Sequence, residues 1–434
     1  MISERMAKAV VVDLGSVPCS EYSKACFEAL TGKISMYFGQ ADEMHEPVYL
    51  IGYLQQSSSA VLPETFVSLR KQIRVLRDSA VSAALYTIKR ELDSLDFTNI
   101  LVITSPSRMI ILQKYQELLF TPVYLFEYIT VLEDPSTFDS ARRSRPTNLN
   151  SRDITDVTEE VSTFLRQLPG IGEITVLDSS LVPDCFSHGF STRMGGISYI
   201  STLSSLNLFS SSKRRDPKAV VIENIRRLGL QMGFQPHQFH LVKTNHASDV
   251  WVMGEEAPES YDGIVTDQVN VVIAAPGADC MPILFSDPVA KVIGVAHAGW
   301  KGTLMGIAKA TVNAMVSRFG SKTENVVAVI GPSVGSCCFK LDKESAKQFH
   351  SIHPDCVRID GTSKPFINIR LATRVLLEQG GLLSEHIHDD TVTDIPSVTL
   401  CTSCHSDMFF SHVRDGNNFG TQIGFLWIKE RGEI

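Results

Sequence analysis

Two histidines and a cysteine are the residues of this chain whose types and spacing are best suited to chemistry. Cys280 follows Asp279 at the start of the apolar segment "MPILFSD", and His297 lies at the end of the next apolar run, in "AHAGWKG". A strand, a turn and a return strand would bring Cys280 and His297 together. His246, in "VKTNHASDV", ends another apolar segment earlier in the chain.

Two imidazoles and one thiolate form a ligand set that suits zinc, a borderline soft cation that accepts nitrogen and sulfur ligands. Three protein ligands leave one coordination position open for water, which is typical of catalytic zinc. Two alternatives remain open on spacing alone. Each residue could be an ordinary hydrogen-bonded histidine or inert thiol. The protein could also be a cysteine hydrolase, with Cys280 as nucleophile and His297 as base.

Composition indicates a globular protein of two or three domains, because the chain has 434 residues, of which 44% are hydrophobic and 20% charged. A net charge of -8 argues against a nucleic-acid binder. No uninterrupted apolar stretch is long enough for a membrane span. The start, "MISERMAKAVVVDLGS", predicts no signal peptide. Nine cysteines without framework spacing favour a reducing, cytoplasmic compartment.

The first part of the chain alternates between strand-like and helix-like patterns. Short β-branched runs predict strands, and apolar residues at helical spacing predict one long helix. The strands are at Lys8–Leu14, Val48–Leu54, Asn99–Thr104 and Val123–Leu132, and the helix is at Glu64–Leu95. We expect an N-terminal α/β domain over residues 1–135, with a largely parallel sheet and an uncertain role.

The next segment is polar and rich in arginine and proline, so residues 136–169 are predicted as a linker. A larger α/β domain follows over residues 170–434, with a helix at Glu159–Gln167 just before it. The remaining elements predicted here are strands at Ile174–Leu177, Val269–Ala275, Val292–Ala296 and Val326–Ile330, and a helix at Thr303–Phe319.

Several motifs in the C-terminal domain occur together in one order. They are "SHGFSTRMGGIS", "SLNL", "ENIRRL", "ADCMPILFSD", "AHAGWKGT", "GPSVGSCCF" and "CTSC…FFSHVRD". From about residue 178 to the C-terminus, the chain resembles the bacterial YfiH/YlmD family, which is labelled "laccase domain" or polyphenol oxidase. The long N-terminal extension resembles that of an animal member of the same family.

The resemblance implies a fold, an α/β/β/α sandwich with an additional N-terminal α/β domain. It also implies a zinc-dependent purine nucleoside enzyme. Such enzymes use inorganic phosphate to split adenosine, inosine, guanosine and S-methyl-5′-thioadenosine into base and ribose 1-phosphate, and they deaminate adenosine to inosine. The family's zinc ligands fall on His246, Cys280 and His297. For an animal member it further implies purine metabolism in immune and inflammatory cells, association with fatty acid synthase, and presence at peroxisomes, nucleus or endoplasmic reticulum.

Five more residues are assigned roles as hypotheses. His188 is a proton shuttle or a hydrogen bond to substrate, and Arg193, in a glycine-containing loop, holds phosphate. Lys301, near a predicted helix start, and Arg414 contact substrate or phosphate. Asp279 orients a ligand or binds ribose. The ordinary alternatives are a surface ion pair for Arg193, a solvated side chain for Lys301 and a buried ion pair for Asp279.

Other motifs in the sequence suggest alternative functions, but each of these hypotheses has weaker support. "CTSCH" (401–405) matches the haem-attachment pattern, yet no export signal is predicted. The same pair could form half of a structural zinc site, but no second C-x-x-C is present, and Cys337 with Cys338 is expected to be buried packing. A single H-x-H, at His386 and His388, cannot supply the ligands of a copper-dependent polyphenol oxidase. A scaffold protein with a vestigial site is the last alternative.

Overall fold

The computed structural model describes residues 8–13, 47–52, 73–76, 78, 80–130, 151–361 and 363–430. The chain divides into two compact units. The first comprises residues 1–168 and 211–220, and the second comprises residues 169–210 and 221–434. No helix among the described residues is long and apolar enough to cross a lipid bilayer.

A five-stranded, fully parallel sheet forms the centre of the first unit, as the alternating pattern predicts. Its spatial order is β3-β2-β1-β4-β5. Buried on both faces, β1 reads as a continuous apolar run, which is typical of parallel sheets. The strands are β1 (Ala9–Asp13), β2 (Val48–Ile51), β3 (Ile73–Val75), β4 (Asn99–Thr104) and β5 (Leu125–Thr130).

The helices of this unit differ from the prediction. The expected long helix is wrong at β3, which pairs with β2 at the sheet edge, so tertiary pairing overrides the local periodicity. The helix α1 spans only Val81–Ser94, and residues 64–72 of the prediction lie outside the described residues. A second helix, α2 (Pro106–Leu119), was not predicted; Ser105 caps it and proline occupies its first position.

A third helix, α3 (Ser151–Gln167), lies in the segment predicted as a linker and belongs to the first unit. Its Glu160 carboxylate accepts hydrogen bonds from the backbone N–H and hydroxyl of Ser82, at 3.0 and 2.8 Å, and from the Tyr115 hydroxyl at 2.5 Å. These bonds join α3 to α1 and α2. The remainder of the predicted linker, residues 136–150, lies outside the described residues.

Two large sheets, flanking helices and a separate antiparallel ribbon of residues 357–358 and 366–367 form the second unit. One sheet has the order β6-β7-β18-β11-β8 and the other has the order β17-β14-β12-β13-β10-β9. The strands are β6 (Val176–Leu177), β7 (Phe186–Ser191), β8 (Phe239–Leu241), β9 (Val250–Val252), β10 (Gly263–Thr266), β11 (Val272–Gly277), β12 (Met281–Asp287), β13 (Val292–Ala298), β14 (Val327–Ile330), β15 (Val357–Arg358), β16 (Phe366–Ile367), β17 (Ile387–His388) and β18 (Gln422–Ile428).

The helices are α4 (Lys218–Met232), α5 (Trp300–Met305), α6 (Ile307–Phe319), α7 (Lys343–Ile352), α8 (Ile369–Gln379) and α9 (His412–Asp415). The predicted helix Thr303–Phe319 is in fact two helices, because Gly306 between them has a φ of +79° and adopts the left-handed conformation. The four strands predicted for this domain are present, and none of their ends is shifted by more than three residues.

Three apolar layers confirm the α/β/β/α sandwich. Between the sheets, Phe190 and Leu426 of one sheet pack with Leu284 and Val295 of the other. Outside the second sheet, α6, α7 and α8 bury residues against β12 and β13. Outside the first sheet, Leu228 of α4 belongs to a cluster that also contains strand residues. The strands that lead to Cys280 and His297, β11, β12 and β13, are therefore buried on both faces.

A buried ion pair near the end of β17 makes a stability prediction. Arg374 donates two hydrogen bonds to Asp389, at 2.7 and 2.9 Å, and Asp389 has no exposed surface. Arg374→Ala leaves that carboxylate buried without its partner, so we expect a loss of about 3–5 kcal/mol. The exposed pair Lys347–Glu344 is the matched control, since Lys347→Ala should cost below about 1 kcal/mol.

Urea unfolding followed by tryptophan fluorescence measures this difference, because all three tryptophans lie in the second unit: Trp251, Trp300 and Trp427. Equal unfolding midpoints for the two variants would show that the buried pair does not stabilise the unit.

Candidate metal centre

The structure brings His246, Cys280 and His297 together. Their ligand atoms, one nitrogen or sulfur from each, all lie within 4.8 Å of one another. The two imidazole rings stand nearly perpendicular, with centroids 4.9 Å apart. His246 lies in the connection between β8 and β9, Cys280 lies in the connection between β11 and β12, and His297 lies near the end of β13. His246 is exposed while His297 is buried. The cluster is therefore reachable from solvent on the His246 side.

The hairpin of β12 and β13 brings Cys280 next to His297, as the spacing predicts. Met281 pairs with Ala298 and Pro282 pairs with His297, so Cys280 lies one residue beyond the end of the ladder, opposite Gly299. A β-carbon at Gly299 would lie 2.9 Å from the Cys280 sulfur, closer than side chains normally approach. The glycine of "HAGW" thus leaves room for the thiol.

A single carboxylate, that of Asp262, fixes both histidines. Its Oδ1 lies 2.8 Å from Nδ1 of His297, which leaves Nε2 as the ring nitrogen available to a metal. The same oxygen accepts the backbone N–H of His246 at 3.2 Å. Its Oδ2 accepts the backbone N–H groups of Asn245 and Ala247, at 3.1 and 2.9 Å. Asp262 is fully buried, and these four bonds use both oxygens.

The backbone around His246 is held in a turn that few residues adopt. His246 has a φ of +64°, in the left-handed region, which costs of order 1 kcal/mol for a residue with a β-carbon. The Asn245 side chain stabilises this turn by accepting the Ala247 N–H at 3.0 Å and donating to the Ser260 hydroxyl at 2.8 Å. Strain at a functional residue is expected where the surroundings determine its conformation.

The charges of the cluster favour a thiolate. Burial alone would raise the pKa of Cys280, but the neighbouring His297 and His246 imidazoles lower it to about 6. Burial alone would lower the pKa of His297, but the Cys280 sulfur and the Asp262 carboxylate raise it to about 9. At neutral pH the metal-free pair is therefore a thiolate beside an imidazolium.

Asp279 precedes Cys280, and hydrogen bonds to other segments occupy its carboxylate. Its Oδ1 accepts the hydroxyls of Thr402 and Ser411 at 2.8 and 2.7 Å, and its Oδ2 accepts the Val413 N–H at 2.6 Å. Its carbonyl accepts the Val334 N–H at 3.0 Å. The ordinary alternative, a buried ion pair, is wrong, because every partner is a hydroxyl or backbone group.

Most of the N–H donors of Arg193 and Arg414 already bind groups of the protein, namely backbone carbonyls and, for Arg414, the Asp415 carboxylate. Arg193 donates to the carbonyls of three serines at 2.7–2.9 Å, and its guanidinium lies over the Phe410 ring. Arg414 donates to Thr402 and Phe409 carbonyls and, in bidentate fashion, to Asp415. A guanidinium has five N–H donors, so few remain for an anion. The surface ion pair considered for Arg193 is not what the structure shows.

Lys301 and His188 lie in different surroundings. Lys301 is exposed on α5, with its ammonium 5.4 Å from the centroid of the Trp300 ring. His188, on β7, accepts the Ser179 N–H at 2.9 Å, and burial lowers its pKa to about 4.

His188 is also remote from the cluster along the sheet. Its partner is Leu426, whereas Gln422 pairs with Gly277 at the end where the cysteine lies. Four residues of strand separate Leu426 from Gln422, about 13 Å at about 3.3 Å per residue. Among the described residues, the structure does not join His188 to the metal cluster.

Sequence reasoning missed Asp262, the residue that orders the site. The sequence signal available was an acidic residue, in "YDGIVTD", at the start of a buried strand, where a carboxylate needs a specific reason to be present. Its partners lie far along the chain, so spacing could not reveal them.

The expectation that Cys337 and Cys338 are buried packing is wrong. Cys337 is exposed and Cys338 half-buried, and both meet Cys401 and Cys404 in a second cluster of potential metal ligands.

Comparisons with known proteins agree with this architecture. A human protein named purine nucleoside phosphorylase LACC1 is 51% identical over 368 residues, covering 84% of this chain and 84% of its own. A protein named adenosine deaminase RL5, from an unknown prokaryotic organism, is 30% identical over 257 residues, covering 56% of this chain and 94% of its own. The crystal structure of YfiH from Bacillus licheniformis matches with a TM-score of 0.51 and 29% identity, covering 56% of this chain and 93% of that one.

A family model described as multi-copper polyphenol oxidoreductase laccase matches residues 187–429, which include the three residues of the cluster and Asp262. This match and the YfiH structure confirm the resemblance that the motifs of the C-terminal half predict. The chain belongs to the multi-copper polyphenol oxidoreductase laccase family, in its YfiH-like form.

Proposed function

We propose that this chain is a zinc-dependent purine nucleoside enzyme. It cleaves adenosine, inosine, guanosine and S-methyl-5′-thioadenosine with inorganic phosphate, and it deaminates adenosine to inosine. The proposal rests on one observation: the potential ligand atoms of His246, Cys280 and His297 all lie within 4.8 Å of one another. The names of the relatives, a purine nucleoside phosphorylase and an adenosine deaminase, support the substrate class.

The residues present fit a zinc ion. Two imidazole nitrogens and a thiolate are the donors that zinc prefers, and three protein ligands are typical of catalytic zinc. Asp262 holds His297 in the tautomer that turns Nε2 to the metal, an arrangement common to metal-ligating histidines. When bound, zinc supplies a Lewis acid that polarises substrate or activates water.

The chain's own residues supply orientation and charge. Phosphorolysis forms a bond between a phosphate oxygen and C1′ and breaks the bond from C1′ to the base, through a transition state with positive charge on the sugar. The N–H groups of Arg193 and Arg414 that bind neither a backbone carbonyl nor Asp415 are the donors we assign to phosphate. Asp279 keeps Cys280 in place through its hydroxyl partners.

Copper-dependent oxidation of polyphenols, suggested by the family's name, fits the residues less well. A multicopper site needs several H-x-H pairs, and this sequence holds one, at His386 and His388. His388 in that pair already bonds the Ser179 hydroxyl at 2.6 Å.

The cysteine-hydrolase reading is the second candidate. One observation favours it: Cys280 and His297 lie side by side. With a pKa of about 6 for Cys280 and about 9 for His297, the pair is a thiolate beside an imidazolium at neutral pH. The convergence of His246 on the same pair is not needed for a nucleophile and its base, and favours the metal instead.

Product analysis tests the proposed reaction. Purified protein and adenosine are incubated with and without phosphate, and adenine, ribose 1-phosphate and inosine are quantified. We expect adenine and ribose 1-phosphate only with phosphate, and inosine under both conditions. Because inosine is itself a substrate, ribose 1-phosphate should equal the sum of adenine and hypoxanthine, which is measured as well. Cys280→Ser should reduce all three to background. Adenine released equally without phosphate would contradict phosphorolysis.

Chelation separates the two candidate chemistries in the same assay. A zinc enzyme loses activity with a chelator and recovers when zinc is restored. Activity that survives chelation and disappears on thiol alkylation would instead establish Cys280 as a nucleophile.

Asp262→Asn tests the carboxylate that holds both histidines. The amide keeps the shape but loses the charge, so we expect zinc affinity at the cluster to fall about 10–100-fold, with activity falling in parallel. Glu259→Gln makes the same change at an exposed position of the same connection and is the control. Competition with a chelator of known affinity gives both values, and equal affinities would mean that Asp262 does not position the ligands.

The pKa values of the metal-free pair predict how zinc binding depends on pH. Cys280, with a pKa of about 6, is already a thiolate above pH 6, whereas His297, with a pKa of about 9, must lose its proton to bind metal. Between those values the pair releases one proton per zinc, so affinity should fall about tenfold for each unit that pH decreases.

Chelator competition at several pH values measures this slope. The zinc bound by the cluster is obtained by subtracting the zinc that Cys280→Ser binds from the zinc that wild type binds at the same pH. An affinity that does not change between pH 6.5 and 8.5 would contradict the predicted proton release.

A further inference from the structure

Four cysteines from two distant segments meet at a second place in the same unit. Their sulfurs all lie within 4.8 Å of one another, and they belong to Cys337, Cys338, Cys401 and Cys404. Cys337 lies 3.5 Å from both Cys401 and Cys404, and Cys338 lies 3.4 Å from Cys404, sulfur to sulfur. A C-C pair and a C-x-x-C pair thus face each other.

These separations match a metal-bound tetrahedron rather than bonded sulfurs. A zinc ion held at about 2.3 Å by four thiolates requires sulfur–sulfur edges of about 3.8 Å. A disulfide would bring two of the sulfurs to about 2.05 Å and would leave the other two without a role. The described cysteines outside the two clusters, Cys185 and Cys356, are single thiols.

Hydrogen bonds hold the two segments in this arrangement. The Gly335 N–H donates to the Cys401 sulfur at 3.2 Å, a contact that stabilises a thiolate. Ser333 bridges to Cys401 through backbone pairing, and its N–H donates to the Leu400 carbonyl at 3.1 Å. The buried guanidinium of Arg370 donates to the Ser333 hydroxyl and to the Leu400 carbonyl, so one cation contacts both segments.

We propose that Cys337, Cys338, Cys401 and Cys404 bind a second zinc ion, which is structural. Four thiolates complete the coordination of zinc and leave no position for water or substrate, so this metal takes no part in the reaction. Tetrahedral sulfur sites select zinc or iron, and the test below distinguishes these metals.

The second zinc would also stabilise the position of Cys280 in the His246–Cys280–His297 cluster. Thr402, which follows Cys401, donates its hydroxyl to Asp279 at 2.8 Å, and Val334, near Cys337, donates its N–H to the Asp279 carbonyl at 3.0 Å. Asp279 precedes Cys280 and has a φ of +87°. A metal that links the two cysteine segments would therefore also restrict the backbone next to Cys280.

Metal analysis of variants of the full-length chain tests the proposal. Elemental mass spectrometry of wild type should give two zinc ions per chain and no iron. Cys337→Ser/Cys404→Ser should give one, and so should Cys280→Ser, while the triple variant should give none. Cys185→Ser, the same change at a cysteine outside both clusters, should keep both ions. Iron at the four cysteines, or unchanged zinc in the double variant, would overturn the assignment.

Alkylation of the wild type provides a test that does not depend on a variant folding. Iodoacetamide is added to the zinc-loaded and chelator-treated protein, and each cysteine is followed by peptide mass spectrometry. Exposed Cys337 and Cys404 should be protected in the zinc-loaded protein and react after chelation. Rapid modification while zinc is bound, or a disulfide between any two of the four, would contradict the proposal.

The effect on the catalytic cluster can be measured separately from activity. Cobalt replaces zinc, and its visible absorption reports the coordination of each site. Loss of the four-thiolate spectrum in Cys337→Ser/Cys404→Ser, with the weaker spectrum of the His-Cys-His site retained, is the expected result. Because this readout involves no nucleoside, it stands even if the proposed activity fails.

Discussion

The hydrogen bonds of the Asp262 carboxylate are the constraint on which the candidate centre depends. One buried side chain accepts the ring N–H of His297 and the backbone N–H of His246, so the ring of one histidine and the backbone of the other are held by the same carboxylate. A buried carboxylate is costly unless its oxygens are satisfied, and both are here. The same bonds that satisfy the buried charge also position His297 and the backbone of His246, so the stability of this loop and the geometry of the candidate centre depend on one side chain.

The sandwich architecture explains why Cys280 and His297 lie at the same end of the strands of the second unit. Between Gly277 and Met281 the chain passes from one sheet to the other, and Cys280 lies in that crossing. The β12–β13 hairpin returns His297 to the same end. Strands buried on both faces hold these ends rigidly, while the connections between them are free to carry polar side chains.

The two cysteine-containing clusters are joined through Asp279. Its carboxylate bonds the connection that carries Cys401, and its own backbone leads to Cys280. Short connections of this kind, which lack helices or strands of their own, gain order from cross-links more than buried strands do. The structural zinc that we propose would help to hold Asp279, whose positive φ is uncommon for a residue with a side chain, next to Cys280.

The sequence by itself predicted which two imidazoles and which thiol lie together and, through its resemblance to the family, the layers of the fold. Thiols and imidazoles at the ends of apolar runs indicate a metal, and the hairpin spacing between Cys280 and His297 follows from strand geometry. Only the tertiary structure decided what surrounds them. Asp262, the bonds that occupy Arg193, the remoteness of His188 and the meeting of Cys337 with Cys401 all depend on contacts between distant segments. Local pattern cannot report such contacts, since packing and hydrogen bonding across the folded chain select them.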